Sequence, residues 1–456
     1  MPSKWIAELA KLLKDDQLST GETVLLQHSR GESYSLSVLP DVVVFPESSQ
    51  DVANIMKFAS KNEIAVTPVA VNSSLEGHTT PLNKGISLDL MRMNQILEFG
   101  AEDLLIVCEP AVTYPQINEH TKRSGLFFPV DPGAHASIGG MIATNASGTA
   151  AVRYGVTADY ILSLEVVTPS GEIIQTGSKA RKSSSGYNLN HLYAGSEGTL
   201  GVITKASIKL VALPIAASSA RVSFQDIFTA TQYVTQIIQS GIAVARCELV
   251  DAASIAAVNA YKQTSYPEED TIFLEFHGNL LGLEPDLKLA QELAEEQNAL
   301  AFEASTNLEE RNKLWDARHS MYYAVVAQNA GKLNITTDVA VPISKLPEIV
   351  DNSLKAFALA ELNTYIVGHV GDGNFHLIVF YDEDDKLAEE KIKKINKKMV
   401  LEALALGGTS TGEHGVGIRK LAYMEHEHGQ SLEIMRAIKK TLDPKNIMNP
   451  GKKIPL

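Results

Sequence analysis

Apolar residues in the first half of the chain come in short bursts separated by glycine- and serine-rich turns, the spacing of strands and brief helices. DVVVFPES (41–48) predicts a strand running into a helix start, with the helical period carried from Asp51 to Ala59. IAVTPVA (64–70) predicts a second strand that enters the turn VNSSLEGHTTP. ISLDLMRMNQILEF (86–99) and LLIVCEPAV (104–112) predict a strand pair, and ILSLEVVTPSGEIIQTG (161–177) a hairpin turning at Pro169-Ser170-Gly171. GVITKASIKLVAL (201–213) closes the block as one further strand. The leading MPSKWIAELAKLLKDDQLSTG predicts a short amphipathic helix, with neither the continuous apolar core nor the cleavage site of a signal peptide.

The rhythm changes after Pro214. Strand-like SARVSF, ARCELVDA, TIFLEFHG and AFEAST alternate with helical DIFTATQYVTQIIQSG (226–241) and EPDLKLAQELAEEQNA (284–299), the order of a ferredoxin-like α+β layer. NITTDVAVPIS leads through a helix from Lys345 to about Glu361 into the β-prone run TYIVGHVGDGNFHLIVFY (364–381). DEDDKLAEEKIKKINKK (382–398) has acids first and lysines last, which suits a solvated helix complementing its own dipole. A last helix runs from Gln430 to Leu442.

The run 364–381 carries the first candidate chemistry. Asp-Gly between apolar β-formers signals a two-residue type I′ turn. With Asp372 and Gly373 as the loop, His369 faces His376, and directly opposite side chains share a face at ~5 Å. Two such imidazoles can converge on one cation. The third ligand is expected in TGEHGVGIRK (411–420), where Glu413 and His414 sit between glycines. A carboxylate and two histidines suit a catalytic divalent ion with open positions, and do not choose among Zn²⁺, Mn²⁺ and Fe²⁺.

Three more turns, PVAVNSSLEGH (68–78), VDPGAHASIGGMIATNASGTAAVRYG (130–155) and GSEGTLGVIT (195–204), each follow or precede strands. Glycine beside Ser, Thr and Asn lets the backbone approach a ligand and turn N–H groups toward an anion, so three such loops favour a large phosphorylated cofactor. Neither a Rossmann fingerprint nor a P-loop is present.

Bulk properties narrow the class. At 456 residues two or three domains are expected. A net charge of −14 argues against nucleic acid as a partner. Two cysteines in separate apolar contexts, Cys108 and Cys247, suit a reducing compartment. That suggests a cytoplasmic location, with peripheral contact at the inner face of a membrane left open. No apolar run reaches 18 residues, so no transmembrane span is expected.

PDVVVFPES, SLEGHTTP, VDPGAHASIGGMIATNASG, the 195–201 loop, GHVGDGNFH, GEHGVG and LDPKNIMNPGK together resemble the FAD-linked oxidase family. The similarity is to its D-lactate dehydrogenase and glycolate oxidase large-subunit branch, among the vanillyl-alcohol-oxidase (PCMH-type) flavoproteins, and runs from about residue 38 to 453. The resemblance implies an α+β fold: a two-part PCMH-type FAD-binding domain over 1–213, a ferredoxin-like substrate or cap domain over 214–410, and a segment 411–456 returning to complete the FAD domain and active site. It places Asn72, Ser73, Ser74 and Leu75 at the pyrophosphate. Pro132, Ser137, Ile138, Gly139, Gly140, Asn145, Ser147 and Gly148 would line the flavin and its phosphates. Glu197, Gly198, Thr199, Gly201 and Ile203 would hold the adenosine and ribitol side, and Asn449 would reach the isoalloxazine region. Where relatives often have glycine in the first loop, this chain has Ala70 and Asn72, and asparagine is the non-glycine residue best suited to a left-handed backbone. No covalent attachment motif is evident, so FAD is expected to be dissociable.

In LWDARHSMYYA (314–324) Arg318 matches the family's substrate-binding arginine, whose planar fork suits a carboxylate. Tyr322 lies one turn on and would share its face; His319 and His135 are expected to support site residues or to be structural rather than catalytic. The implied reaction is oxidation of a D-2-hydroxy acid, D-lactate first, to the 2-oxo acid. Arg318 would hold the carboxylate, the metal on His369, His376 and Glu413 would acidify the hydroxyl, and His414 would take its proton. Hydride would pass to flavin N5 and electrons to a quinone, cytochrome or electron-transfer protein. Glycolate and D-2-hydroxyglutarate remain alternative substrates, and a metal-dependent hydrolase is the alternative from another class. A homodimer or partner subunits are compatible with all of these.

Overall fold

A computed structural model of the chain describes residues 4–32 and 36–456. They form two compact units: residues 1–147, 156–213 and 413–456 in the first, and residues 148–155 and 214–412 in the second.

The first unit holds two sheets. In the four-stranded sheet the order is Leu18–Ser19, Val42–Val44, Ile86–Asp89, Val66–Val69, the last three strands parallel. Helix Ser49–Asn62 starts where the Ser48 hydroxyl accepts the Asp51 N–H, at 3.1 Å, and buries Val52, Ile55, Met56 and Ala59. The second sheet is antiparallel, in the order Ile96–Gly100, Leu105–Cys108, Val202–Lys209, Ile161–Val167, Ile173–Gly177. The chain's tail returns to the first sheet: Val66 N–H donates to Ile447 O and Asn449 N–H to Val66 O, both at 2.8 Å.

The second unit is built on one eight-stranded sheet. Its order is Ala301–Ser305, Ala216–Phe224, Asp270–Gly278, Val244–Val250, Asn363–Gly368, Asn374–Tyr381, Leu333–Thr336, with Val339–Ala340 beside Asn374–Tyr381. One face carries Val250, Phe273, Tyr365, Val367, Ile378 and Phe380, covered by helices Ala252–Lys262, Leu308–His319 and Met321–Gln328.

Four local expectations are corrected. The leading helix spans Lys4–Ala10, its first three expected residues lying outside the described ones, and Leu18–Ser19 is an edge strand paired with Val43 and Val44. Segment 86–99 is not one strand: Ile86–Asp89 joins the parallel sheet and Ile96–Gly100 the antiparallel one, the chain changing sheets between them. Segment 201–213 divides likewise, since Val211–Ala212 pairs with Leu126–Phe127.

The fourth is the histidine hairpin. Val367, not His369, lies opposite His376. The connection is a 3-10 turn over Val370–Asp372 closed by Gly373 at φ +82°, with Asn374 N–H returning to His369 O at 3.3 Å. Asp372 lacks the positive φ that a type I′ turn demands. Gly373 meets two requirements at once: a Cβ there would lie 2.1 Å from Val341 O. The register shift is two residues, so side-chain parity is preserved and both histidines stay on one face.

Candidate active site

On the helix-covered face of the second unit's sheet, the rings of His369 and His376 stand with centroids 5.5 Å apart, edge to face. His369 Nδ1 lies 2.8 and 3.0 Å from the two oxygens of Glu248. Glu248 projects from strand Val244–Val250 and is fully buried. Its second partner is Arg318 Nη2, at the end of helix Leu308–His319. Burial opposes ionisation of Glu248, but the charges of His369 and Arg318 outweigh it and hold its carboxyl below the usual range. His376 Nδ1 donates to Thr337 O at 3.1 Å, with Asp338 Oδ1 at 3.7 Å. Asp338 in turn accepts from Asn374 Nδ2, Thr411 Oγ1 and Gly412 N–H, at 2.8, 2.7 and 3.1 Å.

These contacts decide tautomers. A carboxylate and a carbonyl only accept, so both Nδ1 atoms carry a proton, and in the neutral ring each Nε2 carries the lone pair. Oxygen-backed imidazoles of this kind could hold a divalent ion. Arg318, 8% exposed, is not an open fork, because Nη2 is committed to Glu248. Its buried Nε has no hydrogen-bond partner among the described residues, which leaves a donor for a carboxylate. Tyr322 does not share the face of Arg318: the helix ends at His319, a second starts at Met321, and Tyr322 is 44% exposed. His319 and His135 are exposed.

In the first unit Glu413 and His414 open the segment that follows the second unit. Glu413 Oε2 accepts from Ser147 Oγ at 3.4 Å. His414 Nδ1 faces Glu76 Oε1 at 3.4 Å, and Glu76, 1% exposed, also meets Arg419 and Lys420. Burial works against the Glu76 charge, and Lys420, His414 and Arg419 more than offset it, lowering its pKa. Glu197, also buried, accepts the N–H groups of Val416 and Gly417, both at 2.8 Å, and has His78 and Lys453 within 3.4 Å. Its acidity is likewise raised against the effect of burial. The Glu197 carboxylate therefore ties down the 413–417 loop.

The expected cofactor residues divide by what their atoms already do. Asn72 adopts φ +64°, as its left-handed position requires, and its side chain fastens the loop through Arg30 O and Thr79 Oγ1. Ser73 and Leu75 flank Ser74 in the same loop. The buried hydroxyls of Ser74 and Thr80 have no hydrogen-bond partner among the described residues, so this loop fits a ligand rich in acceptors, as a pyrophosphate is. Around Ser137 the expectation of N–H groups turned to an anion is corrected. Ile138 and Gly139 donate to Val112 O and Pro110 O, both at 2.8 Å, and Gly140 N–H meets Ser137 Oγ. Gly139 serves close packing, since a Cβ would fall 2.6 Å from Pro110 Cβ.

Pro132 O accepts from Tyr114, and Asn145, left-handed at φ +53°, takes the Ala158 N–H. Gly148 falls in the second unit, whereas Ser147 ends a segment of the first. Gly198 is left-handed, Thr199 caps Ser196 O, and Gly201 and Ile203 pack at the start of strand Val202–Lys209 against Val166. Asn449 spends its amide on His78 O and Glu197 O, at 3.0 and 2.7 Å, and accepts from Lys452 at 2.5 Å. It is a clasp between two of the predicted cofactor loops.

Sequence reasoning missed Glu248, Glu76 and Asp338. A signal for Glu248 exists: it is a lone acid amid the apolar residues of CELV.

Residues 213–453 match the family described as FAD linked oxidases, C-terminal domain, and residues 40–177 match the FAD binding domain. This chain belongs to the FAD-linked oxidases. It is 39% identical to a protein of Danio rerio named probable D-lactate dehydrogenase, mitochondrial, over 99% of this chain and 92% of that protein. It is 37% identical to D-lactate dehydrogenase [cytochrome], mitochondrial, of Arabidopsis thaliana, over 100% and 81%. The fold is shared with p-cresol methylhydroxylase, at a TM-score of 0.82 and 15% identity, covering 99% of this chain and 96% of that one. The α+β, PCMH-type architecture expected from the motifs is thereby shown, as is an FAD-dependent oxidoreductase.

The cytoplasmic location is overturned, because both relatives are mitochondrial by name. Cys108 and Cys247 are buried and unpaired, but cysteine usage reports redox conditions, which more than one compartment shares. Among the described residues no helix is long and apolar enough to cross a membrane.

Proposed function

We propose that this FAD-linked oxidase oxidises a D-2-hydroxy acid, D-lactate in the first instance, to the 2-oxo acid and passes electrons to a non-NAD acceptor such as a cytochrome. The observation that carries the reading is the Arg318–Glu248–His369 chain beside His376, a guanidinium for a carboxylate next to two imidazoles with fixed tautomers. The names of relatives at 37–39% identity over nearly the full length point to the same substrate.

FAD, when bound, supplies the hydride acceptor, and a divalent ion held by His369 and His376, when bound, supplies a Lewis acid for the hydroxyl. The chain's own residues do the rest. Arg318 orients the carboxylate through the donors that Glu248 leaves to it. His414 takes the hydroxyl proton at Nε2, with Glu76 facing its Nδ1. FAD is held without a covalent bond. Membership of the FAD-linked oxidases sets aside a metal-dependent hydrolase.

Incubating the FAD-loaded chain with D-lactate, glycolate and D-2-hydroxyglutarate in turn, with a dye acceptor, tests the substrate. D-lactate is expected to give the highest kcat/KM, and a clear preference for either of the others would replace it.

A further inference from the structure

We propose that Glu248 is a positioning residue that links the metal-holding histidine pair to the carboxylate-holding arginine. The inference rests on the function proposed above and deepens it. Glu248 is fully buried, and its two oxygens are shared between groups with different tasks: both lie within 3.0 Å of His369 Nδ1, and Oε2 also takes Arg318 Nη2. A carboxylate with no access to water is tolerable only while paired, so both partners must stay in place for the charge to be compensated. On the histidine side the acceptor keeps the proton on Nδ1 and makes Nε2 the basic nitrogen.

On the arginine side Glu248 belongs to a row of polar contacts that seat helix Leu308–His319 on the sheet. Arg311 reaches Glu275 at 3.5 Å and Trp315 Nε1 reaches Ser219 Oγ at 3.0 Å, each one turn apart along the same helix face. Arg318 completes the row, and its partner Glu248 also touches a candidate metal ligand, His369. One acid thus sets the placement of both substrate-directed groups.

A purely structural Glu248 would move neither metal affinity nor KM selectively. The test treats the FAD-loaded chain with a chelator and titrates it with Co²⁺, reading the visible band of the bound ion. Glu248→Gln should bind Co²⁺ about 10- to 100-fold more weakly, with its FAD content unchanged. The KM for D-lactate should rise in the same variant by more than kcat falls. Glu248→Asp keeps the charge but is one methylene too short to reach both partners, and should be weaker than the unaltered chain in both readings. Co²⁺ affinity equal to the unaltered chain's, in the Gln variant or (should that fail to fold) in the Asp variant, overturns the inference alone. Weaker Co²⁺ binding with an unchanged KM overturns the link to Arg318. If the unaltered chain takes up no Co²⁺, the metal reading falls and the inference with it.

Discussion

The roles proposed for Arg318 and His414 make opposite demands on a single residue. In the proposed role Arg318 offers its remaining planar donors while already paired, so Arg318→Lys, which keeps charge but not planarity, should lower kcat/KM by about 2 kcal/mol, roughly 30-fold. Steady-state rates on D-lactate check this, and unchanged rates would remove Arg318 from the substrate. His414, as the proposed base, would gain a proton and then release it. His414→Ala should retain FAD yet slow anaerobic flavin reduction by about 10²- to 10⁴-fold, measured by stopped flow, and normal reduction would place the base elsewhere. Lys452 illustrates burial without such a task. Burial drives its pKa down from 10.5 to about 7, with the Glu197 charge acting the other way. A depressed folded pKa means that the unfolded chain binds more protons between pH 7 and 10.5, so stability rises with pH across that window. Denaturant midpoints should therefore increase from pH 7 toward pH 10, and the increase should shrink in Lys452→Met; equal slopes in the two proteins would contradict it.

Elements show which parts of the site were legible in the sequence. The histidine pair was found for a partly wrong reason: the turn is 3-10 rather than type I′, and a two-residue register error left the histidines on one face only because strand parity survived. Asn72 was read correctly, because a left-handed position has few tolerated side chains. Glu248 and Glu76 were invisible as site residues, since a buried acid is defined by partners far away in the chain, 70 and 121 residues on for Glu248. Their partners His369 and His414 were found because glycine-framed motifs are local. The glycines of the 130–155 loop looked like anion donors, yet Gly139 is spent on packing. Glu197 holds the 413–417 loop through two buried N–H groups, so Glu197→Gln should destabilise the chain by about 2 kcal/mol or more. Proteolysis after Arg419 should become faster in that variant, and an unchanged unfolding midpoint would refute the loop-tying role.

At the level of the whole chain, the loop whose Ser74 and Thr80 hydroxyls have no hydrogen-bond partner among the described residues and the histidine pair belong to different units. Chelation should accordingly abolish turnover while the yellow chromophore stays bound, a separation that gel filtration followed by absorbance at about 450 nm would show. Loss of FAD together with the metal would mean that the two are not held independently. Stereospecific reduction of bound flavin by a 2-hydroxy acid is checked by anaerobic titration of the FAD-loaded chain with D- and L-lactate. D-lactate should bleach the flavin fully, with one equivalent of the 2-oxo acid formed per flavin, and L-lactate should not. Bleaching by L-lactate alone, or by neither while the chain is fully loaded with FAD and metal, would contradict it.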